Sequence, residues 1–158
     1  MGNLSTHFMN HAIELARTGM REGRGGPFGC VIVKDNIIIG EGCNSVLEQN
    51  DPTAHAEIIA IRDACRNLGA FQLTDCEIYT SCEPCPMCMG AINWARPIRV
   101  YYASTKDDAT NAGFDDSFIY KELELPGDSR KIPFLKLEID DSSGVFTEWV
   151  SKKDKIVY

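Results

Sequence analysis

Two short segments of the sequence carry side chains that bind metals and move protons. Residues 55–57 read His-Ala-Glu, and residues 84–88 read Pro-Cys-Pro-Met-Cys. Cys85 and Cys88 share one face if a helix begins there, because positions three apart lie one turn from each other. The free backbone N–H groups and the positive dipole end of a helix start favour thiolate over thiol. The two cysteines are therefore predicted metal ligands.

One imidazole and two thiolates form a ligand set that suits zinc. His55 also falls at a predicted helix start, and two helix starts that face each other would present His55, Cys85 and Cys88 to one ion. Three protein ligands leave the fourth tetrahedral position open for water, as in a catalytic zinc site. Glu57 is close enough to reach that water without ligating the metal. Zn²⁺ is therefore the predicted cofactor and Glu57 the predicted catalytic residue.

Two other interpretations of these cysteines stay open. Cys85 and Cys88 alone are compatible with a redox pair on a helix. Cys82 could complete a closed structural zinc site with them and His55, but that site leaves Glu57 without a task. Cys82 is better interpreted as a small buried residue at a strand end. The other cysteines are predicted core residues, namely Cys30, Cys43, Cys65 and Cys76.

Helices and strands alternate in the segments that must position these residues. Apolar periodicity predicts helices over residues 5–21, 54–68 (with Thr53 as the cap) and 85–96, short helices within 106–122, and a last helix from 143. Strands are predicted over residues 28–34, 37–43, 77–80, 98–102 and 134–139, with a tight hairpin at 35 and 36. This order indicates one α/β domain over residues 1–158, with three α/β/α layers and a five-stranded mixed sheet.

Composition and charge narrow the function classes. The 158 residues are 44% hydrophobic and 25% charged, as in an ordinary globular domain. No apolar run approaches the roughly 18 residues of a membrane span, so no membrane partner is expected. The net charge of -7 argues against a nucleic-acid partner, because phosphate backbones are bound through Lys and Arg. Seven cysteines without a secretory leader predict a reducing, cytoplasmic location.

Longer stretches of the sequence carry a family resemblance. A His-x-Glu segment followed by Pro-Cys-x-x-Cys is the signature of zinc nucleobase deaminases. The chain resembles the cytidine-deaminase-like superfamily over nearly its whole length. Residues 25–29, 50–57 and 79–88 fit several branches of that superfamily. Residues 112–120, which read Ala-Gly-Phe-Asp-Asp-Ser-Phe-Ile-Tyr, and the terminal Tyr158 resemble the guanine deaminases specifically.

The resemblance implies hydrolysis of guanine to xanthine and ammonia, a reaction of purine metabolism. Glu57 would take a proton from water and deliver it to a ring nitrogen of the base. Asp116 would contact the substrate and take part in protonating the departing amine. For Asp115 and Asp116, the alternative is a role as the N-cap of a following helix.

The resemblance also implies contacts to the base and a homodimer. Asn44 would hydrogen-bond the base, and Phe28 and Trp94 would pack against its ring. The alternatives are a loop-starting role for Asn44 and core packing for the two aromatic residues.

In the implied dimer, residues 140–158 are an exchanged tail, and Tyr158 closes the pocket of the neighbouring subunit. An apolar helical pattern after a polar hinge supports the exchange. The alternative for Tyr158 is a frayed terminus.

Three alternative functions follow from the same residues. The chain could deaminate guanosine, another purine or cytosine, with the same zinc chemistry. An adenosine deaminase that edits tRNA shares the zinc motif, but the acidic charge argues against tRNA binding. A non-enzymatic, zinc-stabilised interaction module is the alternative outside the enzyme class.

Overall fold

Runs rich in β-branched residues form a four-stranded sheet in the computed structural model, which describes residues 4–158. The strands are β1 (Gly29–Lys34), β2 (Ile37–Cys43), β3 (Glu77–Cys82) and β4 (Arg99–Ser104), in the spatial order β2-β1-β3-β4. β1 pairs antiparallel with β2 and β3, and β3 pairs parallel with β4. The predicted hairpin joins β1 and β2. Its residues Asp35 and Asn36 have φ angles of 50° and 63°, which a two-residue hairpin loop of this kind requires.

Seven α-helices accompany the sheet over residues 4–158. They are α1 (Leu4–Arg21), α2 (Val46–Gln49), α3 (Ala56–Leu68), α4 (Pro86–Ala95), α5 (Lys106–Asn111), α6 (Ser117–Glu124) and α7 (Gly144–Ser151). α3 begins two residues later than predicted, because His55 rather than Thr53 occupies its N-cap position. The Thr53 hydroxyl instead donates to Asp51 Oδ1 at 2.7 Å. No helix among the described residues is long and apolar enough to cross a membrane.

The chain divides into two compact units, of which the first ends at residue 117 and contains the sheet. One face of the sheet packs against α1 through Phe8, Val31 and Tyr79. The other face packs against α3 and α4 through a second buried cluster that includes Ile32 and Ile78. Each fully buried side chain of this size contributes roughly 1.5–3 kcal/mol. These two clusters fix α3 and α4 on one side of β1 and β3.

The second unit, residues 118–158, contains α6 except its first residue, all of α7 and no strand. The prediction of a fifth strand over residues 134–139 is therefore wrong, and the sheet has four strands. Alternation of apolar residues predicts an extended backbone, but a strand also needs a neighbour for its N–H and C=O groups. The apolar side chains of this segment are largely exposed, with Phe134 at 66% and Leu137 at 75%. Among residues 4–158, this segment has no strand partner.

Candidate active site

The structure brings three metal-ligating side chains together where α3 and α4 begin. His55 occupies the N-cap position of α3, Cys85 occupies that of α4, and Cys88 lies in the first turn of α4. Their ligand atoms all lie within 4.8 Å of one another. His55 Nδ1 is 3.6 Å from Cys85 Sγ and 3.5 Å from Cys88 Sγ.

The local sequence explains why these side chains are available. His55 and Cys85 both have extended backbone angles, and neither side chain caps its own helix. Pro86 follows Cys85 at the first helical position, where its fixed φ is favourable and its missing N–H costs no hydrogen bond. The chain therefore turns sharply into α4 and leaves the Cys85 sulfur directed at the cluster.

The spacing of the three ligand atoms fits a zinc ion. Zinc bonds of about 2.0–2.1 Å to nitrogen and about 2.3 Å to sulfur, at tetrahedral angles, separate nitrogen from sulfur by roughly 3.5 Å. The two nitrogen–sulfur distances in this structure agree with that value. The donor set of one imidazole and two thiols is also one that zinc prefers.

The electrostatics of the cluster also favour a bound cation. The pKa of Cys85 falls to about 4, first because Cys88 hydrogen-bonds to its sulfur and further because of His55. The same hydrogen bond and burial raise the pKa of Cys88. The hydrogen bond to Cys85 raises the pKa of His55. A divalent cation bound here would stabilise both sulfurs as thiolates.

Cys82 does not join this cluster. Its sulfur lies 3.4 Å from the backbone oxygen of Thr105, and burial raises its pKa to about 11. Among the described residues, the group able to hold a metal consists of His55, Cys85 and Cys88. The closed four-ligand site is therefore not supported. All seven cysteines are free thiols, so no disulfide joins Cys85 to Cys88.

Glu57 lies beside the cluster in the first turn of α3 and is only 6% exposed. Its Oε1 accepts a hydrogen bond from the Thr80 hydroxyl at 3.1 Å, and its Oε2 accepts one from the Cys88 thiol at 3.4 Å. Burial raises the pKa of this carboxyl group. Thr80 could not be recognised from the sequence, because a threonine in a buried strand is ordinary and its partner, Glu57, comes from another element.

Asn44 directly follows β2, and Phe28 directly precedes β1. Asn44 is 6% exposed, and its Oδ1 accepts hydrogen bonds from the backbone N–H groups of Gly26 and Val46, at 3.1 Å and 3.3 Å. The Phe28 ring packs edge-on against Phe114, with 5.0 Å between the ring centroids. Asn44 is therefore more than a loop residue, because its side chain organises the backbone around it.

Asp115 and Asp116 have different surroundings. Asp115 Oδ1 accepts a hydrogen bond from the Ser117 N–H at 2.8 Å, so the local turn at the start of α6 uses Asp115. Burial raises the pKa of Asp116, and the negative charge of Cys85 raises it further. Asp116 therefore lies within electrostatic reach of the metal cluster.

Trp94 and Tyr158 are not core residues. Trp94 lies on α4 and is 66% exposed. Tyr158, in the second unit, is also 66% exposed. The core alternative for Trp94 is therefore excluded, and the roles of both residues toward a substrate stay predictions.

Known proteins resemble this chain along nearly its full length. A family model for the cytidine and deoxycytidylate deaminase zinc-binding region matches residues 3–104. Guanine deaminase of Bacillus subtilis is 56% identical over 151 residues, which cover 96% of this chain and 97% of that protein. The X-ray structure of guanine deaminase from Bacillus subtilis matches with a TM-score of 0.95 and 55% identity, over 97% of this chain and 98% of that one. A tRNA-specific adenosine deaminase of Aquifex aeolicus is 32% identical over 146 residues, covering 92% and 93% of the two chains.

Proposed function

Because this chain belongs to the zinc-binding cytidine and deoxycytidylate deaminase family, we propose that it hydrolyses guanine to xanthine and ammonia. The near full-length similarity to a guanine deaminase carries this proposal, since it extends past the family's zinc-binding region into the second unit. The charge of -7 favours a small base over tRNA as the substrate. The seven free thiols support a reducing, cytoplasmic location.

Three residues hold the zinc ion in this proposal, namely His55, Cys85 and Cys88. When bound, zinc lowers the pKa of a water molecule toward about 7 and so supplies a nucleophile at neutral pH. With Cys88 deprotonated as a ligand, Oε2 of Glu57 loses its thiol donor and becomes free to accept a proton from the attacking water. Thr80 keeps the other carboxylate oxygen in place.

Glu57 then delivers that proton to the ring nitrogen next to the carbon that bears the amino group. The water oxygen bonds to this carbon, the carbon–nitrogen bond to the amino group breaks, and the amino group leaves as ammonia. The hydroxyl group formed on this carbon loses its proton as it becomes the carbonyl of xanthine, and Asp116 takes part in passing this second proton to the leaving amine. Asn44 donates a hydrogen bond to the base, and Phe28 and Trp94 pack against its ring.

We expect Thr80→Val to lower kcat for guanine by about 10- to 100-fold with little change in KM, because a hydrogen bond to a charged group contributes about 1.5–3 kcal/mol. Valine keeps the volume and the β-preference of threonine at this buried strand position. The matched control is Thr80→Ser, which keeps the hydroxyl and should restore kcat. If Thr80→Val lowered the melting temperature but left kcat unchanged, Thr80 would contribute to packing and not to catalysis.

A panel of substrates tests the proposed function. We expect ammonia release from guanine to exceed release from guanosine, and we expect none from cytosine or from adenosine in tRNA, with zinc-loaded protein and equal substrate concentrations. Faster release from guanosine would assign a nucleoside substrate with the same chemistry. Activity on cytosine alone would overturn the assignment to guanine. Fully zinc-loaded protein with no activity on any of these compounds would favour an interaction module.

We also propose that the protein is a homodimer that exchanges its C-terminal tail, residues 140–158. Large apolar side chains of this tail and of the preceding segment are exposed, which is costly for a chain that stays monomeric. The outer edge of β4 has no strand neighbour among residues 4–158, and residues 134–139 have the alternation of a strand. An edge strand with free N–H and C=O groups is a template for another chain. Exchange of residues 140–158 across a polar hinge would bury the exposed apolar side chains of the tail on the partner.

Deletion of residues 156–158 should lower guanine turnover by about tenfold or more, because a tail that closes the partner's pocket also orders the substrate. Zinc content and the far-UV spectrum should stay normal. Lys153→Ala, an exposed change in the same tail, is the control. Unchanged turnover would mean that the last residues only pack, and a monomer in sedimentation would exclude the exchange.

A further inference from the structure

The loop before β1 holds the Asn44 side chain in one orientation. Only an oxygen can accept from two N–H donors, so the donors at Gly26 and Val46 fix Oδ1 between them. Among residues 4–158, Oδ1 is the acceptor in both hydrogen bonds described for this side chain. The Nδ2 amino group is therefore the part that Asn44 offers to a substrate, and the base atom that faces it must be an acceptor.

The loop itself is anchored on both sides of Asn44. The backbone oxygen of Arg24 accepts hydrogen bonds from the N–H groups of Leu47 and Glu48, both at 3.0 Å. The Asn44 N–H donates to the backbone oxygen of Phe28 at 2.9 Å. These contacts tie residues 24–28 to the end of β2 and to α2, so the loop has little freedom to move away from Asn44.

Gly25 is the point of closest approach in this arrangement. A Cβ atom at residue 25 would lie 2.0 Å from Asn44 Oδ1 and 2.9 Å from the Asn44 backbone oxygen. The φ angle of Gly25 is not positive, so space rather than backbone conformation requires glycine here. Any larger residue must displace the Asn44 amide from its two backbone donors or push the anchored loop outward.

We propose that Gly25 is a positioning residue for substrate recognition, because its missing Cβ lets the loop hold the Asn44 amide with Nδ2 available to the base. This inference rests on the proposed function, since the base it concerns is guanine. Gly25 acts only through Asn44, so its effect should vanish once the Asn44 amide is gone.

A double-mutant cycle tests this dependence. We expect Gly25→Ala to lower kcat/KM for guanine by about 10- to 100-fold, and Asn44→Ala to lower it at least as much. The kcat/KM of the double variant should lie within about 3-fold of that of Asn44→Ala, because the effects of mutations at coupled residues are not additive. The matched control is Gly90→Ala, whose added Cβ meets no atom within 4 Å. Equal losses from Gly25→Ala in both backgrounds, or full activity of Gly25→Ala, would overturn the proposal.

Asn44→Asp tests the amide orientation without adding volume. Its carboxylate can keep both backbone donors but places a second acceptor where Nδ2 was. We expect the kcat/KM of Asn44→Asp for guanine to be lower than that of Asn44→Ala. A value equal to or higher than that of Asn44→Ala would contradict the inferred orientation of the Asn44 amide.

A readout that does not depend on turnover keeps the proposal testable if guanine is not the substrate. The Nδ2 amide signals of Asn44, identified by their loss in Asn44→Ala, should shift in the NMR spectrum of Gly25→Ala and stay in place in Gly90→Ala. Wild-type protein that is inactive on guanine would reject the proposed function, whereas unshifted signals in Gly25→Ala would reject the positioning role.

Discussion

Glu57→Gln is expected to abolish nearly all guanine turnover while zinc stays bound. Glutamine preserves the shape of the side chain, and its Oε1 can still accept the hydrogen bond from Thr80. The amide cannot take up and release the proton that the reaction moves. General acid–base groups contribute about 10²–10⁴-fold, and one group serves several steps here, so the loss should reach the top of that range. The measurements are kcat for guanine and metal content by elemental analysis.

The control for this variant is Glu14→Gln, which removes a carboxylate from an exposed ion pair with Arg17 on α1. Surface ion pairs contribute little, so activity and stability should both stay near those of the wild type. Normal zinc content together with normal turnover in Glu57→Gln would remove Glu57 from the mechanism.

Cys85→Ala should lose tightly bound zinc and, with it, guanine turnover. Two remaining ligands, His55 and Cys88, hold zinc far less tightly than three, and the cation no longer stabilises the Cys88 thiolate. Stability should fall as well, because the free energy of metal binding is partly free energy of folding. Elemental analysis after dialysis measures the zinc, and thermal unfolding measures the stability.

Two cysteine variants serve as controls for the ligand assignment. Cys82→Ala and Cys65→Ala should both keep one zinc per chain, because neither sulfur belongs to the described metal-binding group. Retention of full zinc by Cys85→Ala would show that the ligands are misassigned. Loss of zinc from Cys82→Ala would instead support the closed structural site in which Cys82 is a fourth ligand.

The metal site could be predicted from the sequence because its chemistry is local. Cys85 and Cys88 lie one turn apart on a single helix start, so helix geometry brings these two together. His55 lies at another helix start, which packing on the sheet places beside the first. The position of Glu57 beside the metal site could be predicted because Glu57 lies two residues after His55 in the sequence. The boundaries of α1, α3 and α4 were predictable to within about two residues, whereas α2 was not predicted. The late start of α3 depends on the side-chain contact between Thr53 and Asp51.

Features that depend on distant partners could not be predicted. Thr80 and Gly25 become informative only when the fold places them against Glu57 and Asn44. The segment 134–139 has the alternation of a strand, but pairing depends on a neighbouring edge that the pattern does not specify. The exposed apolar side chains of that segment are one of the observations that support the proposed homodimer.

The most direct test of the central claim is a time course of guanine with zinc-loaded wild-type protein, in which xanthine and ammonia are both quantified. Guanine consumed, xanthine formed and ammonia released should agree one to one to one, and Glu57→Gln with the same zinc content should form neither product. A fully zinc-loaded, folded protein that leaves guanine unchanged would contradict the assignment.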